Sequence, residues 1–197
     1  MLHNYVIGLI LGWGASVPIG PVNIEIIKRN LQHNIWTGIC FGLGAGCADL
    51  FYLTAVLYGA TNLLKHPVII KTTAVIGSCI LISFALLTLY KKPTIKSTAI
   101  KTSSAQLCKN LLSGLIMTIF NLYTLIFWVS LGTQFAILTT KYTSISLIST
   151  GGGVITGLVS WIIVLNVFTN RVRHMITEKS SRALNSAGAI ILFGFAA

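Results

Sequence analysis

Charge is scarce in this chain. Only 9% of its 197 residues are charged, and just three of them are acidic. Residues 2–24, 72–90, 110–140, 142–170 and 183–197 carry no charge at all, and residues 35–64 carry only Asp49. A soluble domain with 54% hydrophobic residues and a mean hydropathy of +0.84 would expose large apolar patches, so no separate soluble domain fits. The four cysteines form no Cys-x-x-Cys pair and no Cys/His cluster, so no metal centre or disulfide framework is expected. Cys40, Cys47 and Cys79 inside apolar tracts, and Cys108 beside one, read as small packing residues. His3, His33, His66 and His174 lie near tract ends, where an interfacial role is expected. No Walker motif is present, so ATP is not the direct energy source. No tract pairs a nucleophile with a base, and an enzyme is not expected.

The apolar tracts themselves define the class. A hydrocarbon core about 30 Å thick needs roughly 20 apolar residues at 1.5 Å per residue, so five tracts can cross a bilayer and the sixth, with 15 residues, is marginal. The expectation is an all-α integral membrane protein of six transmembrane helices, spans 1 to 6. Residues 1–5 carry no Lys or Arg and no small-residue cleavage site follows, so span 1 is expected to stay as a helix.

The net charge of +11 belongs to the gaps between spans. Eleven of the 14 basic residues fall after the odd-numbered spans: Lys28 and Arg29; Lys91, Lys92, Lys96, Lys101 and Lys109; Arg171, Arg173, Lys179 and Arg182. Only Lys65, Lys71 and Lys141 lie elsewhere. The positive-inside rule then puts those gaps in the cytoplasm of a bacterial inner-membrane protein, with both termini outside. Anionic lipid, not nucleic acid, is the partner such charge implies.

A shift of 111 residues lays Gly42 on Gly153, Gly46 on Gly157, Asp49 on Ser160, Lys71 on Arg182, Gly77 on Gly188, Leu81 on Leu192 and Phe84 on Phe195. A three-span unit crosses the membrane an odd number of times, so a second copy is inverted. The whole chain, 1–197, is therefore read as one membrane domain. It consists of repeat 1 over about 1–90, a cytoplasmic linker over about 91–109 and repeat 2 over about 110–197.

Two places in spans 1 and 2 are chemically unusual. Gly42, Gly46 and Asp49 are spaced i, i+4, i+7, one helix face that small residues turn towards a neighbouring helix, with Gly153 and Gly157 as the matching packing positions. An ionisable residue in a span is a functional candidate, and the structural alternative is an Asp49 hydrogen-bonded to Ser160. Tyr52, one turn on, is placed to touch a substrate or simply to pack. In span 1, Pro18 and Pro21 flank Gly20 and should interrupt the helix in mid-membrane. The half-helix beginning near Pro21 would offer free N–H groups to a carboxylate, and Asn23 adds an amide. Glu25, with Lys28 and Arg29 at i+3 and i+4, reads as an interfacial ion pair or as part of a transport cycle.

The run from Pro18 to Asn23, followed by Gly42 to Gly46 and Asp49 to Tyr52, resembles the LysE/RhtB family of lysine, homoserine and threonine exporters. The family's Pro-Gly-Pro-type motif is here interrupted by Ile19. Its Asn-Pro pair of the fourth helix is represented by Asn121, with Leu122 in place of proline. The resemblance implies six inner-membrane helices and a secondary transporter exporting amino acids or related small metabolites by proton antiport, without a cofactor. A homodimer is compatible with it. Under this resemblance, substrate ammonium and proton compete for Asp49 while N–H groups near Gly20 to Asn23 hold the carboxylate. A cation or metal exporter on a related scaffold, and a non-transporting assembly protein, are the alternatives. The first lacks a good oxygen or sulfur ligand set, and the second leaves the paired prolines and buried Asp unexplained.

Overall fold

The computed structural model describes residues 1–18, 20–58, 61–90, 103–138, 144–173, 186–192 and 194. Its elements are all helical: α1 (Leu2–Ser16), α2 (Pro21–Gln32), α3 (Ile35–Leu57), α4 (Thr61–Leu64), α5 (Pro67–Tyr90), α6 (Ser104–Ile119), α7 (Leu122–Leu138) and α8 (Ser144–Val172). Residues 186–192 are helical as well. Three of these helices, covering Ile35–Val56, Pro67–Leu87 and Ile148–Val172, are each long and apolar enough to cross a bilayer. Two bent pairs, α1 with α2 and α6 with the first part of α7, bring the number to five if each pair makes one crossing. Seven of the 15 residues of the sixth expected span, Phe195 among them, lie outside the described residues, as do His174, Lys179, Arg182 and residues 91–102 of the expected linker.

Local sequence explains where the helices start. Asn34 accepts a hydrogen bond from the Thr37 amide while Thr37 Oγ1 accepts one from the Asn34 amide, a capping box that opens α3. Ser103 caps α6 by accepting from the Gln106 amide, so that helix begins at Ser104, six residues before the tract edge at 110.

Span 4 departs from expectation. Residues 110–140 are expected to form one transmembrane helix, but α6 ends at Ile119 and α7 leaves at 62° to it. No proline is needed. The Asn121 side chain accepts from the Tyr123 amide at 3.0 Å and caps a new helix there.

Burial is arranged inside out relative to a soluble protein. Ile163, Val164, Phe168, Val75 and Leu87 are exposed, whereas Asn23, Glu25, Asn30, Asp49, Asn110, Asn121 and Asn166 are buried. Apolar side chains facing outward and hydrogen-bonded polar ones inside suit a hydrocarbon solvent. Cys47, Cys79 and Cys108 also face outward, which corrects the expectation that they fill gaps between helices; a thiol is apolar enough for that surface.

Backbone-to-backbone approach holds the bundle. In α1, an added Cβ at Gly8 would strike the Thr150 carbonyl, and one at Gly12 the Val154 carbonyl. Gly153 and Gly157 of α8 meet the Tyr5 and Leu9 carbonyls in return. In α3 the equivalent contact is made by Gly44 against Leu111 of α6, answered by Gly114 against Phe41. The expected packing residues Gly42 and Gly46 instead face the side chain of Ile162, at 2.8 and 3.8 Å from an ideal Cβ. Their spacing defines a face, but the face borders a cavity. Two apolar clusters complete the interior, one around Tyr52, Leu125, Trp128 and Leu158, the other around Ile26, Phe41, Leu81, Met117 and Leu192.

Candidate functional site

The chain breaks between Ser16 and Pro21. The Val17 amide still donates to the Trp13 carbonyl at 2.8 Å, closing α1, and α2 restarts at 75° with Gly20 extended (φ −130°, ψ −175°) and Pro21 in its first turn. The break leaves the last carbonyls of α1 without helical partners. Asn23 supplies them: its Nδ2 donates to the Ser16 carbonyl at 2.7 Å and to the Pro18 carbonyl at 2.8 Å. Its Oδ1 accepts from Trp161 Nε1 at 3.4 Å. Both amide protons of Asn23 are thus spent on the bend, so this side chain brackets the break and does not offer a donor to a solute.

No side chain caps α2. The Ile24 amide reaches the Gly20 carbonyl at 3.2 Å, whereas the amides of Val22 and Asn23 belong to the first turn, which has no helical acceptors. Pro18, Gly20, Pro21 and Asn23 border a cavity with about 870 Å³ of empty space, counting its mouth. Asp49, Gly42, Gly46, Thr118, Asn121, Phe127 and Trp161 also line it. A mostly apolar wall carrying a few polar groups is the make-up typical of small-molecule sites.

Asp49 is buried on α3, and its Oδ1 accepts from Trp128 Nε1 at 2.9 Å. Ser160, the alternative partner, instead accepts from Trp13 Nε1 and donates to the Gly157 carbonyl. The carboxylate is therefore oriented from α7 and presented to the cavity. An anion-seeking helix start and a carboxylate on one cavity suit a solute carrying both charges.

Two sequence candidates are not brought into this cavity. Tyr52 is buried, and its hydroxyl donates to the Ile119 carbonyl, a group left open where α6 ends. Glu25 lies on α2 with its carboxylate bonded to Lys28 Nζ at 2.5 Å and to Arg29 Nε at 3.0 Å. The expected pairing is present, with the Glu25 carboxylate itself buried. Sequence reasoning missed Trp128 and Trp161. A tryptophan in the middle of a span, away from the interfacial belts where this residue concentrates, is the signal that could have found them. No group of three His, Cys, Asp or Glu side chains comes together among the described residues.

These features define a multi-pass α-helical membrane protein with a cavity at a broken helix. The chain belongs to the LysE type translocator family, which it matches over residues 14–197. It is similar to the "Putative amino acid efflux protein YcgF" of Bacillus subtilis (strain 168), with 26% identity over 193 residues, 95% of this chain and 91% of that protein. No solved structure matches it.

Proposed function

We propose that this protein exports amino acids across the bacterial inner membrane in exchange for protons, with Asp49 as the group that proton and substrate ammonium occupy in turn. The observation that carries this is the shared cavity of Asp49 and the uncapped start of α2. An amino acid presents an ammonium group to the first and a carboxylate to the second. A carboxylate inside a membrane protein can hold either a proton or a cation, which is the elementary requirement for exchange. The efflux named for the Bacillus subtilis relative agrees.

Alternating access follows from inverted repeats, for which the packing gives support. Each bent pair lays its first helix along the long helix of the other half, α1 on α8 and α6 on α3, through glycines in both cases. Leu81 and Leu192, matched by the 111-residue shift, meet in one cluster. Orientation is supported by charge: Lys28, Arg29, Lys109 and Arg173 gather at one end, where Arg29 reaches Asn110 and Arg173 reaches the His33 carbonyl. On the positive-inside rule that end is cytoplasmic and both termini are outside. The outward apolar side chains meet lipid.

Reconstitution into proteoliposomes with each of the twenty amino acids, with and without a pH gradient, tests this. Movement of at least one amino acid, accelerated by the gradient, is expected. Failure of every amino acid to move would overturn it.

A further inference from the structure

A second cavity, with about 960 Å³ of empty space counting its mouth, lies at the basic end. Its α2 wall is Glu25, Lys28, Arg29 and Gln32, and its α6 wall is Gln106, Lys109, Asn110 and Ser113. Each set is spaced i, i+3, i+4, i+7, a single helix face. One turn further along the same faces stand Val22 on α2, which borders the Asp49 cavity, and Met117 on α6, whose neighbour Thr118 borders it too. The two cavities are therefore stacked along one pair of helices.

What separates them is thin. Ile26, Phe41 and Met117 are at most 2% exposed and pack in one apolar cluster. Arg29 crosses beside that plug. It bonds Glu25 on its own helix and Asn110 on α6, and its guanidinium carbon sits 4.5 Å from the centre of the Phe41 ring. Glu25 already engages Lys28 and Arg29, so Lys109 has no carboxylate of its own among the described residues of this wall. Three cations against one carboxylate leave the cavity selective for an anion.

We propose that this second cavity binds the carboxylate of an amino acid before export, and that the solute then passes along α2 and α6 to Asp49 when Ile26, Phe41 and Met117 part. The proposal rests on the export function given above. Lys109 supplies the ion pair, with the Gln106 amide beside it. The incoming carboxylate also competes with Asn110 for the Arg29 guanidinium that ties α2 to α6, so occupancy loosens the crossing.

The test uses the full chain in proteoliposomes and whichever of the twenty radiolabelled amino acids the wild type exports. Lys109 is exposed, so Lys109→Gln should leave the fold intact, as size-exclusion chromatography would show. Its KM is expected to rise about ten-fold with kcat nearly unchanged, the loss of one charge-assisted contact, while Lys109→Arg keeps the wild-type KM. An unchanged KM in Lys109→Gln, with normal wild-type export, would overturn the second site and leave the export function standing. A KM effect seen only in liposomes containing phosphatidylglycerol, and absent in neutral ones, would mean that a lipid phosphate occupies the cavity, and would overturn it as well. No export of any amino acid by the wild type would overturn the function and the site together.

Discussion

The indole Nε1 of Trp128 donates to Oδ1 of Asp49 at 2.9 Å, so a carboxylate on α3 is aimed by a residue on α7. Trp128 is fully buried and cannot swing away without disturbing the cluster of Tyr52, Leu125 and Leu158 around it. Trp128→Phe keeps an aromatic ring there but removes the donor and part of the indole's volume. Export per amount of folded protein is expected to fall by roughly ten-fold or more, since a hydrogen bond to a charged group is worth about 1.5–3 kcal/mol. Normal export in this variant would show that Asp49 needs no such aim.

Asn23 is the bracket of the broken helix. Asn23→Leu approximates its size but strands the Ser16 and Pro18 carbonyls, each at a cost of about 1–3 kcal/mol when buried. A marked drop in unfolding temperature is expected. A stability equal to wild type would mean that other groups hold the bend.

Tyr52 separates a structural hydroxyl from a substrate-binding one. Its bond to the Ile119 carbonyl predicts that Tyr52→Phe loses about 1–2 kcal/mol of stability while KM stays unchanged. A large rise in KM at unchanged stability would place the hydroxyl on the solute instead.

The glycines of α8 divide into two kinds. A Cβ at Gly153 would collide with the Tyr5 carbonyl, whereas one at Gly151 or Gly152 meets nothing within 4 Å. Gly153→Ala should therefore push α1 from α8 at a cost of about 1–3 kcal/mol. Gly151→Ala should be neutral or stabilising by up to about 1 kcal/mol, from helix propensity alone. Thermal unfolding of the two variants side by side checks the α1–α8 contact.

Span 1's break was legible because proline removes a backbone donor, a local effect that needs no neighbour. The Gly42, Gly46 and Asp49 face was legible from helical periodicity. Span 4's break was not, because Asn121 ends one helix and starts another through its own side chain, in a tract that reads as continuously apolar. Periodicity likewise gave a face without its neighbour: Gly44, not Gly42 or Gly46, carries the close approach to α6. The roles of Asn23 and Tyr52 escaped for the same reason. Each is consumed by a carbonyl that only the bends leave open, and the geometry of those bends is tertiary.

The direct measurement is proton-driven amino acid efflux by Asp49→Asn in proteoliposomes, beside wild type at equal amounts of folded protein. Asparagine keeps an oxygen for the Trp128 indole and nearly the same volume, but it cannot trade a proton for an ammonium group. Wild-type efflux accelerated by the pH gradient, and its loss in Asp49→Asn, is the outcome expected. Gradient-driven efflux that persists undiminished in Asp49→Asn would contradict it.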